Sequence, residues 1–260
     1  MEIRDVFGIE PVGKAGEKVT EGLVDGISTF LGSVFKPGLE ELGFLMKDKV
    51  RQWRLNNILR MLGKAKGRLE FDGKELNLTA NARVGLAIME ESSKVDNEEL
   101  LNMWAGLFAS SCTSDGQDDS NMNFVDLIRR MSSVEAKIMD YACTHCEKLL
   151  FCNQLIGADD LTISFDTLVE IAGTDDRYRL DCELDHMRSI ELLESSGFLG
   201  GGGFSVDDDK LDANITPSPL ALNLYYKTHS LGKSPIEFWG DSLRPYNEKS
   251  IEEIMMENFD

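Results

Sequence analysis

The sequence predicts a mainly α protein, in which an N-terminal helical bundle precedes a winged-helix-like α+β module with a small β-hairpin. Apolar residues recur at helical spacing through the first half, and the second half follows the order helix, helix, helix, hairpin. Charge separates the same two parts. The stretch from Lys47 to Arg68 carries eight basic residues and one acid, whereas Val134 to Ser230 carries 18 acids and seven basic residues.

These changes along the chain predict three regions. Residues 1–131 form a helical N-terminal domain with a basic face, residues 132–232 form the winged-helix-like module, and residues 233–260 form an acidic C-terminal tail. A block of one charge followed by a block of the other is typical of a boundary between parts with different surfaces.

The N-terminal domain begins with two predicted helices. Apolar residues from Leu23 to Phe35 have helical spacing, and Pro37 ends or redirects that helix. The second helix is predicted at residues 39–62 and carries most of the basic residues. Residues 63–79 are predicted to be a turn region with a short strand.

Polar residues mark where the next helices begin. Asp96 and Glu99 are spaced as a capping box, in which two side chains bond the free backbone N–H groups of the first turn. Residues 110–121 are rich in Ser, Asp, Gly and Gln and predict an exposed loop. Helices of this domain are predicted at residues 82–94, 97–111 and 123–131.

The module begins at a second capping box, formed by Ser132 and Glu135. Gly197 is placed to end a long helix in the left-handed conformation, and Pro219 is placed at the first position of another. The predicted elements are a helix at 134–150, a strand at 161–163, helices at 165–172 and 179–196, a hairpin within 198–215, and a last helix from 219.

Composition restricts the functions that the chain can have. The net charge of −19 argues against nucleic-acid binding by the whole protein, because phosphate contacts need clustered Lys and Arg. In the predicted third helix of the module, five acids accompany Arg188, which argues against DNA binding by that helix. The expected partners are therefore another protein or a second copy of the chain.

Cysteine usage and hydropathy predict a cytoplasmic location. The number of cysteines, five, is odd, so they do not form a complete set of disulfide pairs. The sequence also has no secretory signal. The longest charge-free apolar stretch, residues 26–35, has ten residues, about half of the roughly 20 that a spanning helix needs. Peripheral attachment at the inner membrane is compatible with this.

A basic helix next to an apolar helix suggests an anionic membrane surface as a candidate partner, and a nucleic acid as a less favoured one. The alternatives are a solvated basic face, or a face that complements the acidic half of the same molecule. The candidate membrane- or partner-binding residues are Leu23, Ile27, Phe30, Phe35, Lys47, Lys49, Arg51 and Arg54.

No catalytic residue, metal ligand or cofactor is predicted. The three histidines lie in no nucleophile or metal motif, so we do not expect an enzyme. Cys143 and Cys146 have the spacing of half a zinc site, with Cys182 and His186 needed to complete it. The alternative is that these small thiols pack inside a helix interface, and the sequence leaves both interpretations open.

Three stretches resemble the abortive infection alpha family of bacterial proteins. One runs from Glu40 to Asn57 and includes Val50-Arg51-Gln52-Trp53-Arg54. The second is Glu91–Ala109 with Trp104-Ala105-Gly106-Leu107-Phe108-Ala109, followed by Phe124–Ile128. The third is Leu192–Leu199, before Ile215-Thr216-Pro217. These are patterns of helix composition that together cover most of residues 15–230, and none is a catalytic signature.

The resemblance implies a role in defence against phage, by harming or arresting the infected cell. We therefore expect a non-enzymatic effector or sensor that acts through protein contacts. A further hypothesis places this action at the inner membrane surface. The alternative is a non-toxic regulatory or adaptor protein whose winged-helix-like module binds a protein partner.

Overall fold

The computed structural model describes residues 26–27, 29–34, 51–70, 76–194, 211–230 and 233–246. The chain divides into two compact units. The first comprises Met1–Lys137 and Leu224–Lys233, and the second comprises Ile138–Asn223 and Ser234–Asp260. The region boundaries predicted from sequence, after residues 131 and 232, stay predictions.

Helices form most of the first unit. Residues 29–34 are helical, and four complete helices follow, of which α1 packs chiefly against α3. Two-residue strands, β1 and β2, pair antiparallel beside them. The bounds are α1 Arg51–Arg68, β1 Thr79–Ala80, α2 Ala82–Ser92, α3 Glu98–Ser110, β2 Cys112–Thr113 and α4 Met122–Arg130.

The helix α3 forms the centre of this unit. Nine of its 13 residues are buried, among them Trp104, Leu107 and Phe108. The ring of Phe108 lies 6.3 Å from that of Phe30 in the N-terminal helical segment. A helix that is apolar nearly all round is stable only when other elements surround it, so α3 organises the elements on every side.

The predicted helices α2, α3 and α4 are confirmed within a few residues. The residue predicted to cap the N-terminus of α3 is wrong. The side chain of Asn97, not Asp96, accepts the N–H of Leu100 at 3.1 Å, and Glu98 begins the helix. Asn and Asp cap equally well, so the sequence did not distinguish the two neighbours.

The predicted end of the basic helix is also wrong. The helix α1 continues to Arg68 through Gly63 and Gly67, where the sequence predicts a turn region. Leu62 and Ala65 are fully buried, so packing of this last part outweighs the low helix propensity of glycine. The predicted strand at 69–74 lies mostly outside the described residues.

The loop at residues 110–121 is less exposed than its composition indicates. It contains β2, and the side chain of Asn121 is buried, where its amide donates to the hydroxyls of Ser110 and Ser111. The sequence identifies the polar residues, whereas tertiary contacts decide which of them face inward.

The second unit contains two small sheets and several helices. One sheet has the order β4-β3-β7, with β3 antiparallel to β4 and parallel to β7, and the other pairs β5 antiparallel with β6. The bounds are α5 Ser133–His145, β3 Lys148–Leu150, β4 Ile156–Ala158, β5 Thr162–Ser164, α6 Phe165–Ala172, α7 Arg177–Ser189, β6 Asp212–Asn214, α8 Pro219–His229, α9 Pro235–Trp239 and β7 Leu243–Pro245. The unit division falls inside α5 and α8.

Both predicted start signals in this part of the chain are confirmed. The N–H of Ser132 donates to Glu135 Oε2 at 2.7 Å, and the N–H of Glu135 donates to Ser132 Oγ at 3.1 Å. Pro219 is the first residue of α8. The predicted end of α5 is wrong, because the helix stops at His145 and Lys148–Leu150 form β3.

The winged-helix-like module stays a prediction. The described residues confirm a mainly α fold with small sheets, and β5 pairs with β6 as a wing would require. Most of the predicted hairpin, at residues 195–210, lies outside the described residues, as does the terminal segment after residue 246. Residues 233–246, predicted as tail, contain α9, a 3-10 turn and β7.

A close approach inside the first unit provides a test of its packing. The guanidinium of Arg68 donates to the carbonyl of Thr228, and both lie against Gly106 of α3. A methyl group at Gly106 would overlap these two groups, so we expect Gly106→Ala to lower the free energy of unfolding by about 3 kcal/mol. Urea unfolding followed by circular dichroism measures this.

The matched control is Gly67→Ala in α1, where nothing lies within 4 Å of an added methyl group. It should stabilise the protein by about 0.5–1 kcal/mol, because alanine loses less backbone entropy in a helix. Equal stability of the Gly106 variant and the parent protein would contradict this packing.

Candidate interaction surface

The second unit presents a helix with one fully buried face, α7. The carboxylate of Asp176 caps it by accepting the N–H of Arg179 at 3.1 Å. Leu180, Leu184 and Met187 are completely buried at positions i, i+4 and i+7. This spacing places one stripe of the helix in the core and holds the opposite stripe towards solvent.

The opposite stripe, which we call the α7 face, consists of Tyr178, Asp181, Cys182 and Asp185, all exposed. Tyr178 is 88% exposed, the highest value among the large hydrophobic side chains described as exposed. An aromatic side chain next to carboxylates combines a large contact area with charge, and tyrosine is enriched where proteins bind one another.

The segment after α7 is fixed in place by backbone bonds. Glu191 has a left-handed φ of 62°, and its carbonyl accepts the Ser218 hydroxyl at 2.5 Å. The N–H of Glu194 donates to Thr216 O at 3.0 Å. The helix therefore ends at Ser189, seven residues before its predicted end, and Gly197 lies outside the described residues.

The observed bounds change the charge of this helix. The predicted helix, at residues 179–196, contained five acids, Arg179 and Arg188, whereas the observed one adds Arg177, leaves out Glu191 and Glu194, and carries three arginines and three acids. Each arginine contacts its own unit. Arg179 lies 3.5 Å from Glu183, Arg188 lies 2.8 Å from Asp185, and the guanidinium of Arg177 lies 5.2 Å from the Phe165 ring centroid.

Sequence reasoning missed Tyr178, because it began the helix at Arg179. A signal was present: Asp176 is three residues before Arg179, which is the spacing of an N-cap. Starting the helix at Arg177 places Tyr178 on the stripe opposite Leu180 and Leu184.

The predicted apolar site residues lie in the core where they are described. Ile27 is 2% exposed and Phe30 is fully buried. Leu23 and Phe35 lie outside the described residues. In this arrangement Ile27 and Phe30 stabilise the first unit, and neither side chain faces solvent.

The described part of the basic helix is matched by acids of the neighbouring helices. Arg54 lies 3.0 Å from Glu90 and donates to Ser93 Oγ, and Arg60 and Lys64 both pair with Glu98. These acids belong to the first unit, not to the acidic half that the sequence suggested as a complement.

The remaining basic site residues, Lys47 and Lys49 and the side chain of Arg51, lie outside the described residues. Within the described part of the chain, no helix has the length and apolar character needed to cross a bilayer. Membrane attachment stays a prediction. Charge reversal at Lys47, Lys49 and Arg51 tests membrane attachment. Arg54 is left unchanged, because reversing it would also break its ion pair with Glu90.

The cysteine pair of α5 is buried. Cys143 is completely buried and Cys146 nearly so, and burial raises the pKa of both thiols. In the described ranges, no group of three His, Cys, Asp or Glu side chains is arranged to hold a metal ion. The packing interpretation of Cys143 and Cys146 accounts for this geometry.

The structure thus defines a mainly α protein with small sheets and one exposed aromatic–acidic helix face. The chain belongs to the abortive infection alpha family, whose match extends over residues 55–209, more than half of its length. The family suggests a role in phage defence. No curated protein matches the chain, and no solved structure matches it.

The family match includes the α7 face and excludes the site predicted from sequence. It includes α7 and its exposed face, but all eight site residues predicted from sequence lie before residue 55. The β7 strand and α9 lie after the match.

Thiol reactivity should follow burial. Burial raises the pKa of Cys112 to about 12, and Cys143 and Cys146 are shifted in the same direction. Since the thiolate is the reactive form, we expect two thiols, Cys152 and Cys182, to react rapidly with a disulfide reagent at pH 8. Three should react only on unfolding, as counted by absorbance. Rapid reaction of all five would contradict the arrangement.

The Arg54–Glu90 pair should contribute to stability in a pH-dependent way. Burial raises the pKa of the Glu90 carboxyl, but hydrogen bonds and charges from Lys94 and Arg54 outweigh burial and hold it below 4.5. Arg54→Ala should lower the free energy of unfolding by about 1 kcal/mol at pH 7, because both side chains remain partly exposed.

The folded pKa of Glu90 lies below its unfolded value, so this contribution is present above about pH 4.5 and is lost as pH falls through the folded pKa. Arg83→Ala, which removes the more exposed pair with Asp119, is the control and should cost only about 0.3 kcal/mol. A smaller difference should remain at pH 3, because Arg54 also donates to Ser93 Oγ, and a difference as large at pH 3 as at pH 7 would contradict the assignment.

Proposed function

We propose that this chain acts in phage defence by binding another protein through the α7 face, without catalysing a reaction. The observation that carries the proposal is the exposure of Tyr178 on a helix whose other face is locked in the core. An aromatic side chain on a rigid element loses little conformational entropy when it is buried by a partner.

Charge supports a protein partner over a nucleic acid. The three arginines of α7 are already engaged with Glu183, Asp185 and the Phe165 ring, and Asp181 lies one turn after Tyr178 on the exposed stripe. DNA phosphates would meet carboxylates there, which raises the cost of binding. A partner with Lys or Arg around an apolar pocket would complement this surface.

The proposed module architecture agrees with this role. Apart from β3 and β4, which lie between α5 and β5, the order α5, β5, α6, α7, β6, with β5 paired to β6, is the order expected of a winged-helix-like module. In that architecture the third helix is the exposed recognition element. We propose that α7 has this position and recognises protein.

The family match supports the same choice of surface, because it includes α7 and excludes the N-terminal residues from Leu23 to Arg54. Whether the protein harms the cell itself or regulates another effector is a separate question. Induced expression with a growth record and a membrane-potential dye distinguishes them: an effector arrests growth when expressed without control, and an adaptor does not.

Removing the aromatic ring should abolish the defence phenotype. We expect Tyr178→Ala to reduce protection against phage in a plaque assay at least tenfold, with unchanged thermal stability because the side chain makes few contacts in the folded chain. Leu155→Ala is the control, since it removes another exposed apolar side chain of the second unit.

Protection retained by Tyr178→Ala would contradict the proposal. Equal loss in the Leu155 variant would show that the α7 face has no special part. Unaltered protection in the control together with loss in the Tyr178 variant supports it, and circular dichroism of both proteins excludes unfolding as the cause.

A further inference from the structure

The second unit holds a separate surface at the edge of β3. The segment of residues 233–246, which we call the strap, contains α9, the 3-10 turn Gly240–Ser242 and β7. Its strand lies parallel to β3 with Lys148 opposite Leu243, Leu149 opposite Arg244 and Leu150 opposite Pro245. The N–H of Tyr246 donates to Leu150 O at 2.9 Å.

Side-chain contacts accompany this pairing. Arg244 Nη1 lies 2.7 Å from Glu147 Oε2. The ring of Tyr246 lies 4.7 Å from that of Phe151. The ammonium of Lys148 lies 5.0 Å from the Trp239 ring centroid and donates to Thr144 O at 3.1 Å.

The β3 side of this contact has a second source of support. β3 is paired on its other edge with β4, and Lys148, which is 4% exposed beside the strap, also donates to the Thr144 carbonyl of α5. The strap side is different: neither α9 nor the 3-10 turn has a buried residue, and the Arg244–Glu147 pair is largely exposed. Backbone pairing and rim contacts of this kind open locally more easily than a buried core does.

We propose that the strap is a releasable internal ligand, and that the β3 edge beneath it binds an extended segment of a partner protein. The strap itself defines the chemistry of that segment. It pairs parallel to β3, carries a basic residue opposite Leu149 that reaches Glu147, and carries an aromatic residue two positions later for Phe151. Addition of a strand to a sheet edge is a common mode of peptide recognition.

Acidic residues near this edge favour a basic segment. Glu147 is the carboxylate that Arg244 meets, and the N–H of Asp159, which follows β4, donates to the Glu147 carbonyl, so a second acid lies opposite Glu147 in the backbone pairing. A strand with Arg or Lys at this position gains attraction, and a strand with Glu at that position is repelled.

A partner protein is favoured over exchange of straps between two copies. Only residues 230–234 separate α8 from α9, a span of at most about 18 Å when extended. The hydroxyl of Tyr226 on α8 also donates to Lys233 O, which ties the beginning of the strap to its own helix. The same short connection gives the strap a high effective concentration, on the order of millimolar, against which a partner competes.

The test uses the full-length chain and a fluorescent synthetic peptide of residues 233–246 as the probe. In the opened chain, Trp239→Ala and Arg244→Glu weaken the strap. Fluorescence anisotropy should show that the opened chain binds the peptide at least tenfold more tightly than the parent chain does, because its internal competitor is weakened.

Charge exchange provides the specificity control. A peptide with glutamate in place of Arg244 should not bind the opened chain. In a chain with Trp239→Ala and Glu147→Arg, whose own Arg244 is repelled from position 147, the glutamate peptide should bind and the parent peptide should not. A difference of less than twofold between parent and opened chains overturns the proposal. So does equal binding of both peptides to the opened chain, or a dimer of the parent chain formed by exchanged straps, as detected by size-exclusion chromatography.

Hydrogen exchange on the parent protein tests the release without any substitution. After correction for intrinsic rates, the Tyr246 amide, bonded to Leu150 O, should exchange at least tenfold faster than the Phe151 amide, bonded to Leu155 O. Equal protection of the two amides would mean that the strap opens only with the rest of the unit, which overturns the proposal.

Discussion

Burial of α3 is the constraint on which the first unit depends. Nine of its 13 residues are buried, so the helix requires neighbours on nearly every side. Helix α1 supplies the largest of these contacts, and α2 and α4 supply others. Gly106 adds a second requirement, because it lets the Thr228 carbonyl and the Arg68 guanidinium reach the helix.

The same packing explains why the basic stretch differs from the interpretation that its composition suggests. Because α1 packs against α2 and α3, Arg54 pairs with Glu90, and Arg60 and Lys64 pair with Glu98. A cation with a carboxylate partner has less charge available to a membrane surface. Charge that is conspicuous in the sequence is therefore partly neutralised inside the folded unit.

The second unit offers two surfaces of different kinds. The α7 face is a rigid helix stripe within the family match, and its proposed partner contacts depend on side chains. The β3 edge lies beside a strap outside that match, and its pairing depends mainly on backbone groups. A surface within the matched region suits a role common to the family, whereas the strap suits control of this particular chain.

Local signals in the sequence determined much of the helical architecture. The bounds of α2, α3 and α4, the Ser132–Glu135 capping box and the start of α8 at Pro219 all follow from apolar spacing and capping chemistry, which act over a few residues. The composition of the same helices also sufficed to indicate the family.

Only the tertiary structure decided the features that depend on distant residues. Burial of Leu62 and Ala65 carries α1 through two glycines, and β3 pairs with a strand about 95 residues away. The exposure of Tyr178 likewise depends on which stripe of α7 the core accepts. Such outcomes come from contacts between segments far apart in the chain, and local propensity carries little information about them.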